Sequence, residues 1–194
     1  MIALGLTGSI GTGKSTTREM FEAEGVATWD ADAAVHRLYA PGGPAAAALK
    51  PHFPGAVTAE GGIDRPALSA LVTADPDALK LLESLIHPLV AADREAFLAS
   101  ASAPVTLCDI PLLFETGLER LFAAIIVTTC PPAMQRARVL ARPGMTEEKL
   151  AAILARQMPD EDKRLRADYT VVTDTMDHAR AQVRAILAEV TSHA

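Results

Sequence analysis

Ile2-Ala3-Leu4-Gly5-Leu6-Thr7-Gly8-Ser9-Ile10-Gly11-Thr12-Gly13-Lys14-Ser15-Thr16 is the stretch that decides the fold. Ile2 to Leu6 is a short apolar run that stops at Gly8, the pattern of a buried strand. Gly8 to Ser15 satisfies G-x-x-x-x-G-K-[ST] at each fixed position. Lys14 to Glu24 has helical composition and ends at Gly25, a C-terminal stop. A strand, a glycine loop and a helix in that order make a phosphate-binding loop. Its backbone N–H groups turn inward as a nest for anionic oxygens, and the helix adds the positive end of its dipole. Lys14 is placed to reach the β- and γ-phosphates, and the Ser15 hydroxyl to ligate Mg²⁺. Gly8, Ser9, Ile10, Gly11, Thr12, Gly13, Lys14, Ser15 and Thr16 are therefore the expected nucleotide-binding residues. Chance would produce the pattern on the order of once in a few hundred chains of this length.

Outward from the loop, strand and helix signals alternate. Val26 to Trp29 reads as a second strand closed by Asp30, and Ala31 to Tyr39 as a helix ending at Pro41-Gly42-Gly43-Pro44. From Pro44 to about Ser102 strand signals vanish. Asp64 can cap a helix starting near Pro66, Asp75-Pro76 looks like a cap with proline at the first helical position, and Leu79, Leu82, Leu85 and Ile86 form a helical stripe. Pro88 is expected to kink or restart that helix. Val105 to Cys108 and Ala123 to Thr128 read as further strands, and Pro132 to Ala141 as a helix broken by Arg142-Pro143-Gly144. A helix from Thr146 to about Met158, a strand from Tyr169 to Thr173 and a closing helix from Asp177 to Val190 complete the series. The alternation predicts a three-layer α/β fold around the P-loop, with a five-stranded parallel sheet and helices on both faces. The expected organisation is one domain over 1–194, with a helical acceptor-binding insertion at about 64–99 and a lid at about 138–150.

Composition narrows the partners. The net charge is −6, whereas nucleic-acid binders carry a basic excess for phosphate neutralisation; no nucleic acid is expected. Cys108 and Cys130 lie in apolar runs and read as buried core thiols. The stretch before the glycine loop lacks a basic n-region and cleavage site, and no apolar run is long enough to cross a bilayer. A cytoplasmic protein, off the membrane and monomeric, is the expectation.

The loop specifies a nucleotide but not a reaction. The chain contains no Asn, so it lacks the Asn-Lys-x-Asp guanine-reading motif, and it lacks the Ser-Gly-Gly-Gln segment of transporter ATPases. It is short for a helicase or motor ATPase. A small-molecule or nucleotide kinase survives. Shikimate- or gluconate-type kinases, nucleoside monophosphate kinases and a non-catalytic ATP-binding module are the competing readings.

Further segments resemble one family. Gly5 to Ser15, Asp30-Ala31-Asp32 with His36, Leu82 to Val90 with His87-Pro88, and Asp109-Ile110-Pro111-Leu112-Leu113-Phe114-Glu115 look like the dephospho-coenzyme A kinases. Gln135, Arg138 and Arg142 match that family's lid helix, and Gln157 with Ala167-Asp168 matches the segment before its last strand. The resemblance runs in order along the chain. It implies ATP and 3′-dephospho-coenzyme A as substrates, with coenzyme A and ADP as products. One departure is legible: the family usually has Asn and Gly after the last strand, where adenine sits, and this chain has Thr173-Asp174-Thr175-Met176. Base recognition then falls to backbone groups or to different contacts.

Roles follow. Ligands of open α/β sheets bind beyond the carboxyl ends of strands, so Asp32, just past strand two, is the expected base that accepts the acceptor hydroxyl's proton. Capping a helix is the other use of an Asp there, and Asp30 suits it equally. Arg138 and Arg142, at i and i+4 on one helix face, are expected to stabilise charge on the transferring phosphoryl group, with Arg136 a weaker candidate. Asp109 ends the third strand and joins Ser15 as a candidate for Mg²⁺, or serves as a turn residue. Pro111, Leu112 and Phe114 would line the acceptor pocket or plug the core. By resemblance, His36 and His87 would contact the acceptor, while His52, His178 and His193 read as surface residues.

Overall fold

The computed structural model describes residues 1–73 and 75–192; His193 lies outside them. The described chain divides into two compact units, Met1–Trp29 with Ala101–Ala194, and Asp30–Ser100.

The first unit is built on the strands β1 (Ile2–Gly8), β2 (Ala27–Asp30), β3 (Val105–Asp109), β4 (Ala124–Thr129) and β5 (Tyr169–Val172). They form one five-stranded sheet in the order β2-β3-β1-β4-β5. β1 runs parallel to both neighbours, Leu6 pairing with Asp109 on β3 and Gly8 with Thr128 on β4. β4 and β5 are likewise parallel, from Ile126↔Tyr169 to Thr129↔Val172. β1 is buried without alternation from Leu4 onward, as a central strand covered on both faces must be. This is the expected three-layer α/β architecture. Its core joins Leu4, Leu6, Leu107, Ile126 and Val171 of the sheet to Phe21 of α1 (Lys14–Ala23). Truncating a leucine in such a core costs about 2–5 kcal/mol.

The second unit is helical: α2 (Ala31–Tyr39), α3 (Pro44–Leu49), α4 (Arg65–Thr73) and α5 (Pro76–Ser100). Leu38, Leu49, Phe53, Leu68 and Ile86 make its core. Aspartates set its helix starts as expected. Asp30 accepts from the Ala33 N–H at 2.7 Å, Asp64 from Ala67 at 3.0 Å, and Asp75 from Asp77 at 2.9 Å. Each satisfies a donor that the helix itself leaves orphaned. Of the kink or restart expected at Pro88, the restart is corrected: α5 runs through it. A proline forfeits one i→i−4 bond, and here the long apolar stripe that includes buried Ile86 and half-buried Leu82, Leu85 and Leu89 carries the helix across.

In the first unit the chain continues as α6 (Pro132–Leu140), α7 (Glu147–Leu154), α8 (Asp160–Arg166) and α9 (Met176–Ser192). One expectation fails here. α7 stops at Leu154 rather than near Met158; Pro159 bars only Met158 from the helical region. α8 was not read at all.

Candidate active site

β1 delivers the chain into the phosphate loop, and side chains from other strands hold that loop from behind. The Thr12 hydroxyl donates to the Ser9 carbonyl at 2.8 Å and lies 2.8 Å from the Thr128 hydroxyl on β4. The Thr173 hydroxyl, just past β5, donates to the Thr12 carbonyl at 2.7 Å. Thr12, Thr128 and Thr173 are all buried. The turn needs Gly13, at φ +89°, where L side chains are strained. Gly8 is needed for space, since a Cβ there would come within 2.2 Å of the Thr128 hydroxyl. Gly13 caps α1, and the Thr17 N–H makes that helix's first bond to the Gly13 carbonyl at 3.0 Å. Bonds of this kind fix the loop's backbone before any ligand arrives.

Lys14 donates to the Asp109 carboxylate, and Arg18 Nε lies 3.7 Å from the other Asp109 oxygen. Asp109 is buried at the end of β3, so its first job in this state is to hold the lysine of the loop. Ser15 is exposed in the first turn of α1, and Thr16 is half-buried beside it.

Beside the loop lies a cleft of about 310 Å³, lined by Gly11, Gly13, Thr16, Arg138, Arg142 and the Thr173–Met176 segment among others. Arg138 of α6 donates twice to Thr173, at 2.9 Å to the hydroxyl and 2.6 Å to the carbonyl. Arg142 does not share its helix, as the i and i+4 spacing suggested. α6 ends at Leu140 and Arg142 sits in the turn before Pro143, again the effect of a following proline. Both arginines nonetheless face one cleft. Arg136 does not line it; its guanidinium pairs with Glu147 on the surface. On the cleft's far wall Asp174 bonds His178 Nδ1 at 2.8 Å and the Thr175 N–H at 2.7 Å. Those two bonds, the His178 one foremost, hold its carboxyl below the usual range.

The remaining candidates divide between the units. In the helical unit Asp32 is exposed in the first turn of α2, and the cap is Asp30. His36 is exposed, with Arg65 Nη1 2.8 Å from its Nε2. His87 is exposed on α5. In the sheet unit the Pro111 carbonyl accepts from Thr7 at 3.1 Å, Leu112 is exposed, and Phe114 is buried with the Arg166 guanidinium 4.7 Å from its ring centre. Cys108 is buried as expected, while Cys130 is only half-buried, its Sγ 3.8 Å from the Gly11 carbonyl. Burial pushes the Cys130 thiol up, away from reactivity. His52 and His178 are exposed.

The family profile for dephospho-CoA kinase matches residues 2–178. The chain belongs to the dephospho-CoA kinase family. The dephospho-CoA kinase of Ruegeria pomeroyi is 54% identical over 187 residues, covering 96% of this chain and 94% of that one. That of Mesorhizobium japonicum is 55% identical over 194 residues, covering 98% and 97%. Among solved structures, a Thermus thermophilus protein superposes with a TM-score of 0.85 at 36% identity, covering 97% of each chain. Dephospho-CoA kinase from Campylobacter jejuni superposes at 0.68 with 26% identity, covering 97% of this chain and 96% of that one. A shikimate kinase from Acinetobacter baumannii reaches 0.51 at 19% identity, covering 100% of this chain and 94% of that one, and shares the fold alone. The dephospho-CoA kinase assignment and the cleft beside a complete phosphate loop point the same way.

Sequence reasoning missed several supports of this site. Thr128 and Thr173 hold the loop and Lys163 pairs with Glu115; Gln135 and Gln157 were singled out by resemblance alone, without their bonds to Ile10. No spacing announces them, because each meets its partner across the fold.

Proposed function

We infer that this chain transfers the γ-phosphate of ATP to the ribose 3′-hydroxyl of 3′-dephospho-coenzyme A, giving ADP and coenzyme A. The carrying observation is the complete, pre-braced phosphate loop in a chain more than half identical to dephospho-CoA kinases over nearly its whole length. The adenine of ATP takes the cleft beside Gly11 and Gly13, where Thr173 to Met176 offer backbone groups in place of the family's Asn and Gly.

The loop N–H groups and Lys14 bind the triphosphate, Lys14 turning from Asp109 to the β- and γ-oxygens. Asp32 accepts the proton of the 3′-hydroxyl, whose oxygen bonds the γ-phosphorus as the bond to the β,γ-bridging oxygen breaks; ADP leaves with that electron pair. An exposed carboxylate, released from capping by Asp30, suits this task. Arg138 and Arg142 stabilise charge on the equatorial oxygens, carried on a lid at about 138–150. Pro143-Gly144, with Gly144 at φ +73°, gives that lid a hinge. The helices around 64–99, with His36 and His87, hold the acceptor, together with Pro111, Leu112 and Phe114.

Among the described residues, no group of three or more His, Cys, Asp or Glu could hold a metal ion. Mg²⁺ keeps waters and relies on substrate phosphates plus one or two protein oxygens. Ser15 would supply one, and Asp109, once Lys14 turns away, would face the ion or its waters. When bound, the ion would neutralise charge that develops on the phosphates.

The test is ADP release by the purified protein with dephospho-coenzyme A against coenzyme A, whose 3′-hydroxyl is already phosphorylated. Release with the first only is expected. Equal release with both would refute the reading.

A further inference from the structure

Ile10 stands out in the phosphate loop because two remote side chains bond its backbone. Its N–H donates to Gln157 Oε1 at 3.1 Å, and its carbonyl accepts from Gln135 Nε2 at 2.8 Å. Gln135 belongs to α6, the helix that also carries Arg138. Gln157 lies in the connection between α7 and α8. That connection is itself held: the Met158 N–H donates to Glu115 Oε1 at 2.8 Å, and the same oxygen lies 2.9 Å from Nζ of Lys163, which is fully buried.

We propose that Gln135 and Gln157 form a two-sided clamp on Ile10 that positions the phosphate loop for nucleotide, with Lys163 and Glu115 as its anchor. The two bonds fix the peptide planes on either side of Ile10, immediately before the positive-φ turn at Gly11. With those planes fixed, the N–H groups of Gly11 and of Gly13 to Ser15 need no ordering on binding, so the loop meets the phosphates at lower entropic cost. Gln135 and Gln157 are positioning residues: each acts through Ile10. The proposal rests on the kinase reading above.

The chemistry of the clamp makes it testable. Ile10 N–H is a donor, so Gln157 is used only as an acceptor. Ile10 C=O is an acceptor, so Gln135 is used only as a donor. Gln157→Glu keeps an acceptor in place; Gln135→Glu puts a second acceptor against a carbonyl. Both add one negative charge beside the same residue, so charge or packing alone would move them about equally. The measurement is the Kd for ADP by calorimetry, beside KM for ATP and for dephospho-coenzyme A and the Tm of each variant.

Q135E is expected to bind ADP on the order of tenfold more weakly than Q157E, the scale of an unsatisfied polar group. The acceptor KM should stay within about twofold in both. A separation of threefold or more in that order supports the clamp; a smaller one, the reverse order, or no ADP binding by the wild-type chain overturns it. If a glutamate variant fails to fold, Q135M and Q157M replace the pair. The double methionine variant should then lose clearly less than the product of the single losses, because both act on one residue; full additivity overturns the proposal. If the wild-type chain binds ADP but phosphorylates no dephospho-coenzyme A, the function assigned above falls while the clamp comparison still stands.

Discussion

Asp30 and Asp32 are two residues apart, and the proposed function gives them separate tasks. Asp30 caps α2 by accepting from Ala33, so Asp30→Ala should cost about 1 kcal/mol of stability and leave turnover within about twofold. Asp32 caps nothing, so Asp32→Asn should leave Tm unchanged and lower kcat by about 10²–10⁴. Thermal melts beside steady-state assays separate the two, and full turnover by D32N would remove Asp32 from the chemistry. Lys14→Met should raise KM for ATP and lower kcat by about 10²–10³, as loss of a preorganised charge does; unaltered ATP kinetics would contradict its role. The loop was legible residue by residue because its chemistry is local: eight consecutive positions contain the glycines, the lysine and the serine. Its supports were not legible. Thr12 meets Thr128 across 116 positions, and Ile10 meets Gln157 across 147.

At the scale of elements, α8 explains what pattern reading cannot find. Asp-Glu-Asp-Lys-Arg-Leu-Arg has no apolar stripe; its single leucine, Leu165, is 79% exposed, and its buried residue is Lys163. Such a helix docks by an ion pair rather than by an apolar face, so hydrophobic periodicity carries no trace of it. Burial pushes the Glu115 carboxyl up, but its bonds to Lys163 and the Met158 N–H outweigh that and leave it below its ordinary value of 4.5. A depressed folded-state value stabilises the fold above the ordinary value, and that contribution is lost as pH falls through the folded one. Tm should therefore drop as pH is lowered from about 5 to 3, and less steeply in Glu115→Gln. Equal slopes would show that the pair contributes nothing there. Lys163→Met strands the carboxylate and should cost on the order of 2–4 kcal/mol. In the helical unit, α5 crosses Pro88 unbroken, so Pro88→Ala should stabilise it by about 1–3 kcal/mol; a lower Tm would mean that the proline fits α5 without strain.

For the molecule as a whole, the sheet was legible because each of its strands is a short apolar run ending at a chemical residue or turn, among them Gly8, Asp30 and Asp109. The strand order was not, since no local signal says that β1 lies between β3 and β4. Among the described residues no helix is long and apolar enough to cross a membrane. The fold is shared with a shikimate kinase at 19% identity, so architecture alone cannot choose the acceptor. The choice rests on the match to the dephospho-CoA kinase family over residues 2–178 and, within the sequence, on the His87-Pro88 helix and the Asp109 to Glu115 segment. It is tested most directly by offering the purified chain ATP with dephospho-coenzyme A, shikimate, gluconate and AMP in parallel and following ADP and each phosphorylated product. Phosphate appearing on the 3′-oxygen of dephospho-coenzyme A, with the other three acceptors at background, is the expected result. Phosphorylation of any of those three while dephospho-coenzyme A stays untouched would contradict the account.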